Sequence, residues 1–239
     1  MYVIPAIDVL DQRVVRLRQG RYDDVTIYND NPAGMLLSWA EQGAEIVHVV
    51  DLAGARDGGG DPKLWDSLGR TGVPFQLGGG IRSNAHVEAV LAAGATRAVL
   101  GTTAVWDPDL MARIVTAVGP ERVVAAVDVR DGKATGAGWL DDGRGLEAVI
   151  GDLVDAGVVR VLATGIARDG MLTGPDIELI DDVLRIAPEL ALIASGGVGS
   201  LDDVAAVAAM DVEAAIVGRA LYDGRFTFAA AAAAARTGG

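Results

Sequence analysis

The sequence predicts an α/β fold: one (β/α)8 barrel over residues 1–239, assembled from half-barrels of about 1–120 and 121–239. Three observations carry that expectation. Eight short β-rich apolar runs alternate with eight helical patterns along the chain. Several of the runs are apolar at successive positions, as parallel strands buried on both faces require. And the chain repeats itself after roughly half its length. Barrels of this class commonly take about 250 residues as a single unit, and no linker-like stretch separates the halves.

In order, strands are expected near 2–8, 45–51, 74–77, 97–100, 122–128, 159–164, 191–195 and 214–217. Helices are expected near 32–43, 61–71, 83–93, 108–118, 144–156, 176–187, 200–209 and 226–236. Ser83 and Ser200 stand where a hydroxyl can cap a first turn, and Asp202 and Asp203 suit the positive end of the dipole. The repeat is explicit. Val3-Ile4-Pro5-Ala6-Ile7-Asp8 returns 120 residues later as Val123-Val124-Ala125-Ala126-Val127-Asp128. Leu77-Gly78-Gly79-Gly80-Ile81 returns after 117 residues as Ala194-Ser195-Gly196-Gly197-Val198, and Ala98-Val99-Leu100-Gly101 as Ala215-Ile216-Val217-Gly218. Solenoid units run about 20–50 residues, so this period marks half-domains instead. Each half carries one carboxylate and two glycine-marked strand ends.

Composition narrows the function. Cysteine is absent and only His48 and His86 are histidines, which argues against disulfides, thiolate chemistry and a histidine metal site. Twenty basic against 33 acidic residues give a net charge of −13, the wrong balance for a nucleic-acid partner. An anionic metabolite must therefore be held by local N–H groups and a few arginines. No uncharged apolar run reaches membrane-spanning length, and no secretory signal opens the chain, so a soluble cytoplasmic protein, a monomer, is expected.

On a barrel every strand end falls on one rim. Asp8 and Asp128 then face each other across the mouth, at the ends of the first and fifth strands. One such aspartate is commonly a turn residue; two at equivalent positions of a repeat suit proton transfer at two points of one substrate. An opposed acid pair also suits glycoside cleavage, so the pair alone does not name the reaction. Gly79-Gly80 and Gly101-Thr102 in the first half, and Gly196-Gly197 and Gly218-Arg219 in the second, would present N–H groups beside helix starts. Any single glycine here reads as a tight turn. Two matched sets point to a ligand with a phosphate at each end. Arg82 and Arg219 could add charge to these sockets or lie solvated. Arg16 belongs to an alternating run, Arg13 to Arg18, that returns over the rim or forms a surface hairpin. Thr164 ends the sixth strand, and Asp169-Gly170 follows on the same rim, where it could simply be a turn. Trp139 sits in a glycine-rich loop from Asp131 to Asp142, placed to stack on a flat heterocycle or to pack on the barrel wall. His48 reads as a packed core residue and His86 as an exposed one.

Ile4-Pro5-Ala6-Ile7-Asp8, Arg13-Val14-Val15-Arg16-Leu17-Arg18-Gln19-Gly20, Leu77-Gly78-Gly79-Gly80-Ile81-Arg82, Ala194-Ser195-Gly196-Gly197-Val198 and Ile216-Val217-Gly218-Arg219-Ala220-Leu221-Tyr222 together resemble the histidine-biosynthesis phosphoribosyl isomerases. The resemblance runs nearly end to end. It implies a barrel that takes a two-phosphate substrate, phosphoribosylformimino-aminoimidazole carboxamide ribotide, and converts aminoaldose to aminoketose without a cofactor or metal. By the same resemblance Asp8 is the base that removes the C2 proton, and Asp128 the acid that protonates the ring oxygen. Thr164 and Asp169 match active-site positions, Asp169 being assigned the acid role in some relatives. The sister cyclase characteristically has a lysine in the run after the first strand, where this chain has Arg16-Leu17-Arg18. Relatives often have an aspartate after the threonine; here it is Gly165. Actinobacterial dual-specificity relatives, which also isomerise phosphoribosylanthranilate, carry an arginine two residues before the loop tryptophan, where this chain has Ala137. Arg16, Arg18 or Arg144 would have to replace it. The expectation is therefore a single-substrate isomerase, with a dual-substrate enzyme or a non-catalytic binder of a two-phosphate metabolite as alternatives.

Overall fold

A computed structural model describes residues 1–18, 21–136, 138–139 and 141–237. Its strands are β1 (Tyr2–Leu10), β2 (Arg13–Arg18), β3 (Arg21–Asn29), β4 (Val47–Asp51), β5 (Phe75–Gly78), β6 (Arg97–Leu100), β7 (Val123–Arg130), β8 (Lys133–Thr135), β9 (Arg144–Gly145), β10 (Arg160–Gly165), β11 (Ala191–Ser195) and β12 (Ala214–Val217). Eight of them pair in parallel in the order β1, β4, β5, β6, β7, β10, β11, β12, and β12 pairs with β1, so the sheet closes into a barrel. Helices α1 (Pro32–Glu41), α2 (Leu52–Asp57), α3 (Pro62–Gly69), α4 (Asn84–Ala92), α5 (Thr102–Trp106), α6 (Pro108–Val118), α7 (Leu146–Asp155), α8 (Ile177–Ile186), α9 (Leu201–Ala208), α10 (Arg219–Tyr222) and α11 (Phe228–Thr237) fill the connections. The expected strands and long helices are all present within a few residues. The short helices α2, α5 and α10 were not anticipated; four to six residues are too few to show a helical period.

Helix starts follow local chemistry. Asn31, Asp61 and Asp107 each cap a helix that begins with proline, whose missing N–H needs no partner there. Ser83 accepts from the His86 N–H, and Ser200 with Asp203 forms a reciprocal capping box, as their positions suggested.

Two apolar layers hold the barrel together. One lies between strands and helices and includes Val3, Ile7, Phe75, Leu100, Val127 and Ile150. The other fills the lumen with Ile4, Ala6, Ile46, Val99, Val124, Leu162, Ile193 and Ile216. Strand side chains alternate with period two. Ile4 and Ala6 therefore hand the inward direction on to Asp8, and Val124 and Ala126 to Asp128. The acids form the uppermost inward layer above an apolar plug.

The acids are not at strand ends, however. β1 continues to Leu10 and β7 to Arg130, and each leaves the barrel as an antiparallel hairpin, pairing Asp8 with Val15 and Asp128 with Thr135. Both turns have two central residues with positive φ: Asp11 (50°) and Gln12 (63°), then Asp131 (51°) and Gly132 (72°). That geometry matches strand twist and keeps the hairpins tight. Thr164 is likewise one residue short of its strand's end at Gly165.

Candidate active site

The rim at the carboxyl ends of the eight strands encloses a cavity of about 690 Å³. The residues read as the acid pair, the sockets and the flanking site positions all line it: Asp8, Asp128, Thr164, Asp169, Arg16, Gly79, Gly80, Arg82, Gly101, Thr102, Trp139, Gly196, Gly197, Gly218 and Arg219.

The acids differ in their partners. Arg16, carried inward by β2, places Nη1 3.1 Å from Asp8 Oδ2 and Nη2 2.8 Å from Asp169 Oδ2. The alternating run after β1 is thus a rim hairpin whose arginine bridges two carboxylates from the two halves of the chain. Burial pushes the Asp8 carboxyl above its ordinary range, Arg16 pulls it back, and the Asp169 charge pushes the same way as burial. Asp128 is set differently. Trp139 donates its indole N–H to Asp128 Oδ2 at 2.8 Å. Burial raises the Asp128 pKa, hydrogen bonds from Trp139 and Thr164 oppose it, and Asp169 adds a smaller upward push. Asp169 follows β10 in a tight turn, its N–H donating to the Gly165 and Ile166 carbonyls, so the turn reading and the rim position both apply.

The glycines are explained by close approach. A Cβ on Gly80 would stand 2.1 Å from the Gly54 carbonyl oxygen, and one on Gly197 the same distance from that of Gly174. Both have φ in the left-handed region, at 70° and 86°. Backbone lies where a side chain would be, so only glycine fits. The short helices α5 and α10 begin at Gly101 and Gly218, and neither first turn has a side-chain cap. Arg219 reaches the Gly170 carbonyl at 2.8 Å and Asp223 at 2.9 Å, and Arg82 donates to the Ala55 carbonyl at 3.3 Å. Both arginines line the cavity while also bracing loops.

His48 was read as core. It is buried, but it also lines the cavity floor, inward from β4. Gln76 Nε2 lies 3.0 Å from its Nδ1, and burial lowers its pKa to about 4, so the ring is neutral at physiological pH. The signal was available, because His48 follows Ile46 at the strand period. His86 is only half-exposed.

Gly165 has a visible counterpart. A Cβ there would come within 2.8 Å of Asp176 Oδ2, whose carboxylate caps α8 through the Leu179 N–H. The space that an aspartate would use is occupied. Arg144 turns away from the cavity, donating to the Val105 carbonyl at 2.7 Å and pairing with Asp152 at 2.7 Å. Ala137 and the Arg18 side chain lie outside the described residues.

A family model described as "Histidine biosynthesis protein" matches residues 2–227. The chain belongs to that family. Among its relatives, a protein of Pectobacterium carotovorum subsp. carotovorum (strain PC1) is 42% identical over 237 residues, covering 96% of this chain and 97% of that protein. One of Yersinia pestis (strain Pestoides F) is 40% identical over 232 residues, covering 94% and 95%. Both are named as isomerases of an imidazole-4-carboxamide bearing phosphoribosyl and phosphoribosylaminomethylideneamino groups. Among the described residues no helix is long and apolar enough to cross a membrane, and no cluster of metal-ligating side chains occurs.

Proposed function

We propose that this chain isomerises a substrate bearing two phosphoribosyl groups, the activity named for its relatives, and that it does so by an Amadori rearrangement. The observation that carries this reading is the placement of Asp8 and Asp128 on opposed strands of one barrel, pointing inward at one cavity flanked by two glycine-lined sockets. The chain acts as one barrel of two half-barrels, residues 1–120 and 121–239, and each half contributes one acid and one phosphate socket.

The chemistry needs only proton movement. Protonated Asp128 gives its proton to the ribose ring oxygen as the C1–O bond breaks, and the nitrogen lone pair forms the C1=N bond. Asp8 takes the proton from C2, and those electrons form the C1=C2 bond while the nitrogen recovers its pair. C1 of the enol then takes up a proton from Asp8, which held the C2 proton, and the C2 hydroxyl proton passes back to Asp128, leaving the C2 ketone and both carboxyl groups as they began. Nothing is oxidised or reduced overall. Arg16 favours the charged form of Asp8 against the burial that raises its pKa, which suits a base, while Asp128 is buried with only the neutral donors Trp139 and Thr164, which suits an acid. Gly79, Gly80, Gly101 and Thr102 hold one phosphate, with Arg82 at the socket's edge. Gly196, Gly197, Gly218 and Arg219 hold the other.

Steady-state assays of the purified chain on the bisphosphoribosyl aminoaldose test the proposal. Turnover without added metal or cofactor is expected. Tight binding with no turnover would make the chain a binder instead.

A further inference from the structure

The loop that brings Trp139 to Asp128 is also pinned from behind. The Asp141 carboxylate accepts from the Gly136 N–H through both oxygens, at 2.9 and 3.1 Å, and from the Gly143 N–H at 3.1 Å. It also accepts the Trp106 indole N–H at 2.8 Å. One side chain thus gathers both flanks of the Trp139 loop and fastens them to the last residue of α5. The fit is close: a Cβ on Gly136 would stand 2.8 Å from Trp106 Nε1 and 3.1 Å from Asp141 Oδ2. Arg144, just past the loop, makes a second tie to α5 through the Val105 carbonyl. Neither Trp106 nor Asp141 lines the cavity.

The same device holds the loop after β4, which argues against accident. Asp51 accepts from the Gly54 N–H at 2.8 Å, the Asp61 N–H at 2.7 Å and the Trp65 indole at 3.1 Å. There too a glycine lies flat on the indole, since a Cβ on Gly60 would meet Trp65 at 1.9 Å.

We propose that Trp106 and Asp141 are positioning residues: they fix the loop so that the Trp139 indole N–H is aimed at Asp128. This rests on the reading of Asp128 as the acid. Because α5 begins at Gly101 and Thr102 and ends at Trp106, about 7.5 Å of helix joins one phosphate socket to the anchor of the indole. An N–H that donates to a carboxylate favours its charged form. Releasing the indole therefore raises the proton affinity of Asp128, and the alkaline limb of the pH profile should move to higher pH.

The test is a mutant cycle on the full-length enzyme: Trp106→Phe, Trp139→Phe and the pair, with Asp141→Asn and Gly136→Ala as chemically different ways to loosen the anchor. Trp106→Phe should lower kcat about tenfold with KM little changed and move the alkaline limb upward, and Trp139→Phe should do the same. The double variant should be no worse than Trp139→Phe alone, because residues acting through one another are not additive. Wild-type kcat and pH profile in Trp106→Phe, or losses that multiply in the double variant, would overturn the proposal. If Trp106→Phe does not fold, Asp141→Asn and Gly136→Ala carry the same expectation. Asp128→Asn in the same series separates the readings: full turnover there removes the acid assignment and the positioning role with it.

Discussion

Asp8 and Asp128 occupy the same place in two constructions of the same kind, yet they have opposite neighbours. Each is the last inward residue of a barrel strand, and each pairs across a hairpin with the residue seven positions on. One is held by a guanidinium, the other by an indole. Backbone geometry therefore does not decide which carboxylate gives a proton and which takes one. On the proposed reading the neighbouring side chain does, because a cation beside Asp8 favours its charged form while Asp128 has only neutral donors, although burial raises the pKa of both.

The largest test removes each acid in turn. Asp8→Asn and Asp128→Asn should each lower kcat by roughly 10²–10⁴-fold, the share that a positioned acid or base supplies. Substrate affinity should change little, since the sockets stay intact. A near-normal rate in either variant would end its role. Substrate choice comes next. The Arg144 guanidinium is committed to Val105 and Asp152, and that of Arg16 to two carboxylates. An anthranilate carboxylate would find no ready partner among them, and a buried unpaired charge is costly. kcat/KM for phosphoribosylanthranilate should fall about 10²-fold or more below that for the histidine substrate, and equal values would refute a single-substrate enzyme.

A subtler effect is expected when the neighbours are altered. Arg16→Gln removes the cation that lowers the Asp8 pKa. Asp8 would then ionise only at higher pH, so the acidic limb of kcat/KM should move upward while the alkaline limb stays. A shift of the alkaline limb alone would reverse the assignment of base and acid. The smallest effect is on stability. Burial holds the Asp128 pKa above its ordinary value, so the folded state binds that proton more tightly than the unfolded chain does. The stability this contributes is present at low pH and lost as pH rises through the raised value. Asp128→Asn should consequently melt slightly higher than wild type at pH 7, with the gap closing toward pH 4. A lower Tm at pH 7 would show that the charged form is better accommodated than its surroundings indicate.

Much of this was legible because a barrel turns order along the chain into position around a rim. Once Ile4-Pro5-Ala6-Ile7-Asp8 and its repeat are read as strands, period-two alternation and closure bring both acids to one cavity. Side-chain partners were less accessible. Arg16 meets Asp169 across 153 positions, and no local pattern encodes that contact. The hairpins were also only half visible. Asp131-Gly132 is a familiar tight-turn pair, but Asp11-Gln12 is not, so β1 and β7 were each read two residues short. The anchor of Trp139 lies behind the cavity wall, where composition offers no hint of it.

The contact of Gly80 with the Gly54 carbonyl, and of Gly197 with that of Gly174, has an evolutionary consequence. Where main chain rests on main chain, the genetic code has no smaller substitution to offer, and any larger one displaces a neighbouring loop. The two grips are thereby frozen. On the two-socket reading, inheritance can reshape what lies between them, through residues such as Arg16, His48 and Trp139, while the span between the sockets stays constant. A lineage descended from this barrel would change the middle of its substrate long before it changed the ends.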